Sequence, residues 1–236
     1  MRIRISCFQC RSESVPYFEL AAPFPEESIF EIECDRHGKS AVEVGNLRFE
    51  ILFEFGALSA ADCRTREAVL DFGAALERFA EWFIEFARLR RGVAEGEYSK
   101  YWKHVKNASE RQLGGFMLAY ILETGHTAPF PHDWPQFRNR VVHQGYVPRT
   151  DEVVDHGEAL RKFMCFVIDQ AKSIDRDKAI DAGIRETIKR KRPQSDVPVS
   201  TMFLPTLIHL PREGQRRTLP EFVTTAQDHW SRVCAR

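Results

Sequence analysis

An arginine, an amide and a histidine stand close together in Arg138-Asn139-Arg140-Val141-Val142-His143. An unperturbed imidazole titrates near pH 6.5 and exchanges protons at neutral pH. A guanidinium stays charged and offers a bidentate fork to phosphate oxygens. Breaking a phosphodiester without a metal needs a base for the attacking hydroxyl, an acid for the leaving oxygen and positive charge on the phosphorane. His143 is the candidate base or acid, Arg138 the candidate transition-state stabiliser, and Asn139 a group that orients the imidazole or holds a ribose. Arg140 and Tyr146 are candidate substrate contacts.

The bare spacing is not selective. A chain with 25 arginines and 8 histidines holds a second pair, Arg149 and His156. Context separates the two. Asn139 and His143, four residues apart, share a helix face. Val141 and Val142 set that helix against a core, and Gly145 stops it just past His143. Arg149 and His156 straddle a helix start instead. One imidazole cannot easily act as both acid and base, whereas a two-fold dimer supplies two His143 and two Arg138. On an ideal helix Arg138 is rotated about 140° from His143, so it serves the partner's half-site as readily as its own.

Cys7-x-x-Cys10 and Cys34-x-x-His37 form two ligand pairs separated by a β region. Three thiolates and an imidazole suit a tetrahedral structural Zn2+, with no position left open for substrate water. Gly38 fits the tight turn of the second pair. A β module this small needs such a staple. Cys63, Cys165 and Cys234 have no partner at ligand spacing, and Cys165 lies among apolar neighbours.

These groups require elements to hold them. Arg2–Ile5, Tyr17–Leu20, Ile29–Glu33 and Leu47–Phe55 alternate apolar and polar residues and read as strands. Ser59 and Asp62 then start a long helix with Val69, Phe72, Leu76, Phe79, Phe83 and Phe86 as its seam. Glu77 in this helix either points to the cleft or falls on the solvated face, the latter being the default for a charged residue. A second helix spans about Ser109 to Glu123 and stops at Gly125. Asp133, with Gln136 three residues on, caps the motif helix. Thr150 opens a long helix seamed by Val153, Gly157, Leu160, Met164, Val167, Ala171 and Ile174, continuing weakly to Ile188. Val199–Leu210 reads as a strand, and Thr218 with Glu221 is a capping box for a last helix. Tyr98, Tyr101 and Trp102 interleave with Lys100, Lys103, His104 and Lys106. That pattern either stacks bases and holds phosphates or, as we read it, forms an amphipathic turn with Trp102 in the core. Lys189–Arg192 is the strongest basic run.

Composition bounds the partners. Hydrophobic residues make up 43% and charged residues 29%, with a formal net charge of zero. That fits a globular protein without a global field for nucleic acid, so any phosphate binding uses a local patch. No apolar run is long enough for a membrane span. Met1–Ser6 alternates Arg and Ile and lacks a signal-peptide core, which points to the cytoplasm.

The Arg138-Asn139-x-x-x-His143 string, followed by Gly145-Tyr146-Val147-Pro148 and an acidic helix start, resembles the HEPN superfamily of helical bundles. The resemblance covers about residues 59–175. It implies an antiparallel helical bundle, so that with the small zinc-ribbon-like β module read from the Cys and His pairs the expected fold is mainly α. The expected divisions are 1–57 for the β module, 58–192 for the bundle and 193–236 for a C-terminal extension. It further implies a metal-independent endoribonuclease that cleaves RNA as a homodimer, in the setting of a toxin or effector of bacterial antiphage defence. Catalytically silent members leave a second expectation, a module that binds nucleotide, RNA or a partner without cleaving.

Overall fold

Alternating residues near the N-terminus pair into two small sheets in the structure, a computed structural model that describes residues 2–13, 19–188, 197–210 and 217–234. β1 (Arg2–Ser6) and β2 (Glu19–Pro23) are antiparallel, with Arg4 opposite Ala21. Between them α1 (Phe8–Ser12) makes a short helical turn. β3 (Ile29–Cys34) and β4 (Gly38–Val44) form a hairpin with Phe30 opposite Val42. A strand from far along the chain, β5 (Val199–Met202), adds parallel to β4 with Ala41 opposite Val199. Asn46 fastens this return. Its side-chain oxygen accepts from the Leu204 N–H at 2.6 Å, and its amide donates to the Leu204 carbonyl at 3.2 Å. Ile5, Phe30, Ile32, Val42 and Val44 are buried in this module.

The architecture is mainly helical with this small β module at its N-terminal end. Residue contacts divide it into two units. The first is Met1–Asn46 with Glu186–Pro205, and the second is Leu47–Arg185 with Thr206–Arg236. The expected divisions at 57 and 192 therefore fall elsewhere, and residues 193–236 do not form a body of their own: they contribute to both units.

In the helical unit, α2 (Arg48–Ala61), α3 (Thr65–Arg90), α4 (Glu95–Val105), α5 (Ser109–Thr124), α6 (Trp134–His143), α7 (Thr150–Ile188) and α8 (Leu219–Cys234) follow in order. α3 is the organising element and packs on α2, α5 and α6. Its seam residues Val69, Phe72, Leu76, Phe79, Phe83 and Phe86 are all buried, with Phe79 and Phe83 edge-on or tilted against Phe116 of α5. α5 stops at Gly125, which adopts φ +75. α7 is broken at Asp175, whose carboxylate caps the following segment by accepting from the Lys178 N–H at 3.1 Å.

Two expectations fail here. Leu47–Phe55 is helical, not a strand. The residues that gave it a period of two are buried around more than one side of α2. Phe49, Ile51 and Phe53 enter the core, while Glu50 accepts from Leu210 N–H at 2.6 Å and Glu54 from Leu207 N–H at 3.1 Å. Ser59 is not an N-cap; it is buried in the last turn of α2. The break comes afterwards at Cys63, which takes φ +59. Arg64 N–H reaches the Ser59 carbonyl at 2.8 Å and Cys63 N–H the Ala60 carbonyl at 3.1 Å, the pair of bonds that closes a helix around a left-handed residue.

Candidate functional site

α6 is positioned by three side chains on one stripe. Trp134, Phe137 and Val141 are buried against the unit's core. That choice turns the other side outward: Asn139, Arg140 and His143 are exposed, and Arg138 lies at the margin with 29% of its side chain accessible. Pro135 near the helix start suits the first turn, where an N–H has no partner. Asp133 precedes the helix without a side-chain capping bond, so the expected box with Gln136 does not form. Gly145 adopts φ +70 just beyond His143.

Beside Arg138 and Asn139 opens a cavity of about 110 Å³ lined by Gly73, Leu76, Glu77, Leu113 and Trp134 among others. Arg138 Nη2 lies 3.8 Å from Glu77 Oε1, with 29% of each side chain accessible. The separation is an ion pair but is too long for a hydrogen bond. Glu77 therefore faces the cavity, not only solvent, and Gly73 one turn earlier in α3 lines the same cavity. His143 does not line the cavity. It stands one helical turn beyond Asn139, at the exposed C-terminal end of α6.

The two expected substrate contacts, Arg140 and Tyr146, are engaged with each other. The Arg140 guanidinium lies 4.0 Å from the centre of the Tyr146 ring. The Tyr146 hydroxyl is 2.9 Å from each Glu152 carboxylate oxygen, and Glu152 also accepts the Arg149 N–H at 2.9 Å. These contacts hold the Glu152 carboxyl below its usual range, chiefly through the Arg149 N–H. Together they tie the loop after the motif to the start of α7. His156 of the second Arg–His pair stacks on Phe137 at 3.9 Å, and burial lowers its pKa. It is a packing residue.

The second cluster lies in the β module. Cys7 and Cys10 flank the start of α1, while Cys34 ends β3 and His37 sits in the turn before Gly38, whose φ is +69. Among the described residues their donor atoms all fall within 4.8 Å of one another. Bond lengths of 2.3 Å to sulfur and 2.0–2.1 Å to nitrogen in a tetrahedron require edges of about 3.8 and 3.6 Å. Observed edges are 3.6 Å for Cys10 to Cys34, and 3.5, 3.3 and 3.8 Å from His37 Nδ1 to Cys7, Cys10 and Cys34. The four residues fit one tetrahedral metal ion. The Arg36 N–H pulls the Cys34 thiol down to about 6, whereas burial pushes Cys10 up to about 11. The first pair is presented by a helical turn and not by a hairpin knuckle, so the module keeps a zinc ribbon's ligand spacing with a different first knuckle. Sequence spacing did not reveal Glu13, whose carboxylate lies 3.3 Å from His37 Nε2. That contact favours a proton on Nε2 and leaves Nδ1 for a metal.

Of the other candidates, Tyr98 is buried and stacks on Trp102 at 6.0 Å, so this aromatic pair is packing. Lys189–Arg192 lies outside the described residues. No described helix is long and apolar enough to cross a membrane. Comparison with protein-family models, curated proteins and solved structures finds no match to this chain.

Proposed function

We propose that the helical unit is a metal-independent endoribonuclease of the HEPN type, active as a homodimer. The reading is supported by one observation above others. Arg138, Asn139 and His143 are all excluded from the packing stripe of α6, and none of their side chains makes a hydrogen bond among the described residues. Their chemical groups remain available to a ligand.

In the proposed reaction His143 of one protomer takes the proton from a ribose 2′-hydroxyl. The 2′-oxygen attacks phosphorus, the bond from phosphorus to the 5′-oxygen breaks, and His143 of the second protomer protonates that oxygen. Arg138 neutralises the phosphorane. The products are a 2′,3′-cyclic phosphate and a free 5′-hydroxyl. The biological setting, a toxin or effector of bacterial antiphage defence, follows from the family resemblance alone, and the proposed cytoplasmic location from the N-terminal residues. The metal held by Cys7, Cys10, Cys34 and His37, taken as Zn2+, is structural and has no step in the reaction.

A second reading has its own support. Arg138 is turned toward Glu77 and the cavity, not toward His143. A module that binds nucleotide, RNA or a partner without cleaving would use the same cavity. Incubating total RNA with the protein in EDTA separates the two, beside His143→Ala and Arg138→Ala. Cleavage by wild type to 2′,3′-cyclic ends, reduced roughly 100- to 10,000-fold in His143→Ala, carries the enzyme. Equal inertness of all three carries the binding module. Sedimentation tests the dimer.

A further inference from the structure

We propose that the cavity beside α6 is a base-recognition subsite for guanine. Its walls are apolar, formed by Leu76, Leu113 and Trp134, and suit the face of a base. Its polar lining holds Ser109, Glu110 and Asn139 and, side by side 3.8 Å apart, the Glu77 carboxylate and the Arg138 guanidinium. Neither of these last two side chains spends its hydrogen-bonding groups on another described residue. Such a pair asks for a ligand edge with donors next to acceptors.

Guanine supplies that edge. Its 2-amino group and N1–H are adjacent donors for the two carboxylate oxygens, and O6 and N7 are adjacent acceptors for the guanidinium fork. None of adenine, cytosine and uracil presents two adjacent donor atoms to the two carboxylate oxygens, so each leaves Glu77 incompletely matched. A half-buried charge left without its partner is what makes such discrimination large. Asn139 lines the cavity, and His143 lies one turn further, about 6 Å along the helix axis. A guanine seated against Glu77 thus belongs to a nucleotide at or next to the bond that His143 addresses. In this form the inference rests on the proposed nuclease reading and names its substrate preference.

The test titrates the whole protein with 5′-GMP, IMP, AMP, CMP and UMP by calorimetry, and maps cleavage sites on RNA. Binding of GMP is expected to exceed that of each other nucleotide by about tenfold or more. IMP lacks only the 2-amino group, so it reads the Glu77 contact in the wild-type protein. Glu77→Gln is expected to erase the GMP preference without changing the melting temperature, and His143→Ala to keep it. Wild-type cuts are expected beside guanine. Equal binding of all five nucleotides, a preference that survives Glu77→Gln, or cuts indifferent to guanine would overturn the subsite. GMP selectivity in a protein that cleaves no RNA would overturn the nuclease reading and leave a site for a free guanine nucleotide.

Discussion

The Tyr146 hydroxyl bridges both oxygens of the Glu152 carboxylate, 2.9 Å from each. The contact closes the loop of residues 145–149 onto the first turn of α7, and the Arg149 N–H bonds to the same carboxylate. Because the Glu152 carboxyl is held below its usual range, this tie is complete above that range. It is lost as pH falls through the lowered value. Amide exchange in residues 145–149, measured by mass spectrometry, is expected to rise roughly two- to tenfold in Tyr146→Phe, with a similar rise in wild type below the lowered value. Unchanged exchange would show that the loop is held by other means.

The Cys–His cluster is expected to bind one equivalent of Zn2+ or Co2+, with the absorption of thiolate ligation for cobalt. Cys10→Ser or Cys34→Ser should lose tight binding, and Glu13→Ala should weaken it about 10- to 100-fold. Competition with a chromophoric chelator measures this. An affinity indifferent to Glu13 would mean that the 3.3 Å contact with His37 does not set the imidazole's orientation.

Glu54 gives a pH dependence of the opposite sign from Glu152. Burial pushes its carboxyl from 4.5 up to about 7, only partly offset by the Leu207 N–H. The fold therefore favours the neutral form. Its contribution is whole below pH 4.5 and disappears as pH rises through 7. Glu54→Gln keeps an acceptor for Leu207 and has no charge to bury. Denaturant melts at pH 8 should find the variant more stable, by on the order of 1–3 kcal/mol, with the difference vanishing near pH 4.5. A wild-type stability that is flat over this range would contradict the account.

Gly157 tests the packing of α7 on α3. A methyl group there would fall 2.6 Å from Leu219 Cδ2 and 2.7 Å from Phe72 Cε2. Phe72 is fully buried between helices and cannot retreat. Gly157→Ala is expected to cost about 1–3 kcal/mol in denaturant melts, although alanine is the better helix former. A gain in stability would mean that α7 shifts freely.

What the sequence disclosed depended on whether a single local rule acted alone. The Thr218–Glu221 box was legible and forms: Thr218 N–H meets Glu221 Oε2 at 2.9 Å, and Glu221 N–H meets Thr218 Oγ1 at 3.3 Å. Gly125 was legible because only one conformation was asked of it. α2 was not, since two of its glutamates face inward as acceptors for residues some 150 positions away and so mimic the polar half of a strand. The stop at Cys63 was hidden because a cysteine occupies a place that glycine usually takes. At the candidate site, spacing put Asn139 and His143 on one face and set Val141 against the core, as found, while Val142 is only half-buried. The cavity was beyond such reasoning. It depends on Gly73, Glu77 and Leu113 from two other helices, and no spacing within α6 encodes them.

The parallel pairing of β5 with β4 means that the N-terminal module, begun by the first residues of the chain, cannot finish until Met202 has been made. Its cysteines leave the ribosome early, yet the third strand of their sheet arrives only when nearly the whole polypeptide has been made. Until then one margin of the β3–β4 hairpin stays open, a template for pairing with other chains. Early capture of a metal ion by the four ligands would hold this module in shape through the wait, which gives the cluster a task during synthesis distinct from any in the finished protein.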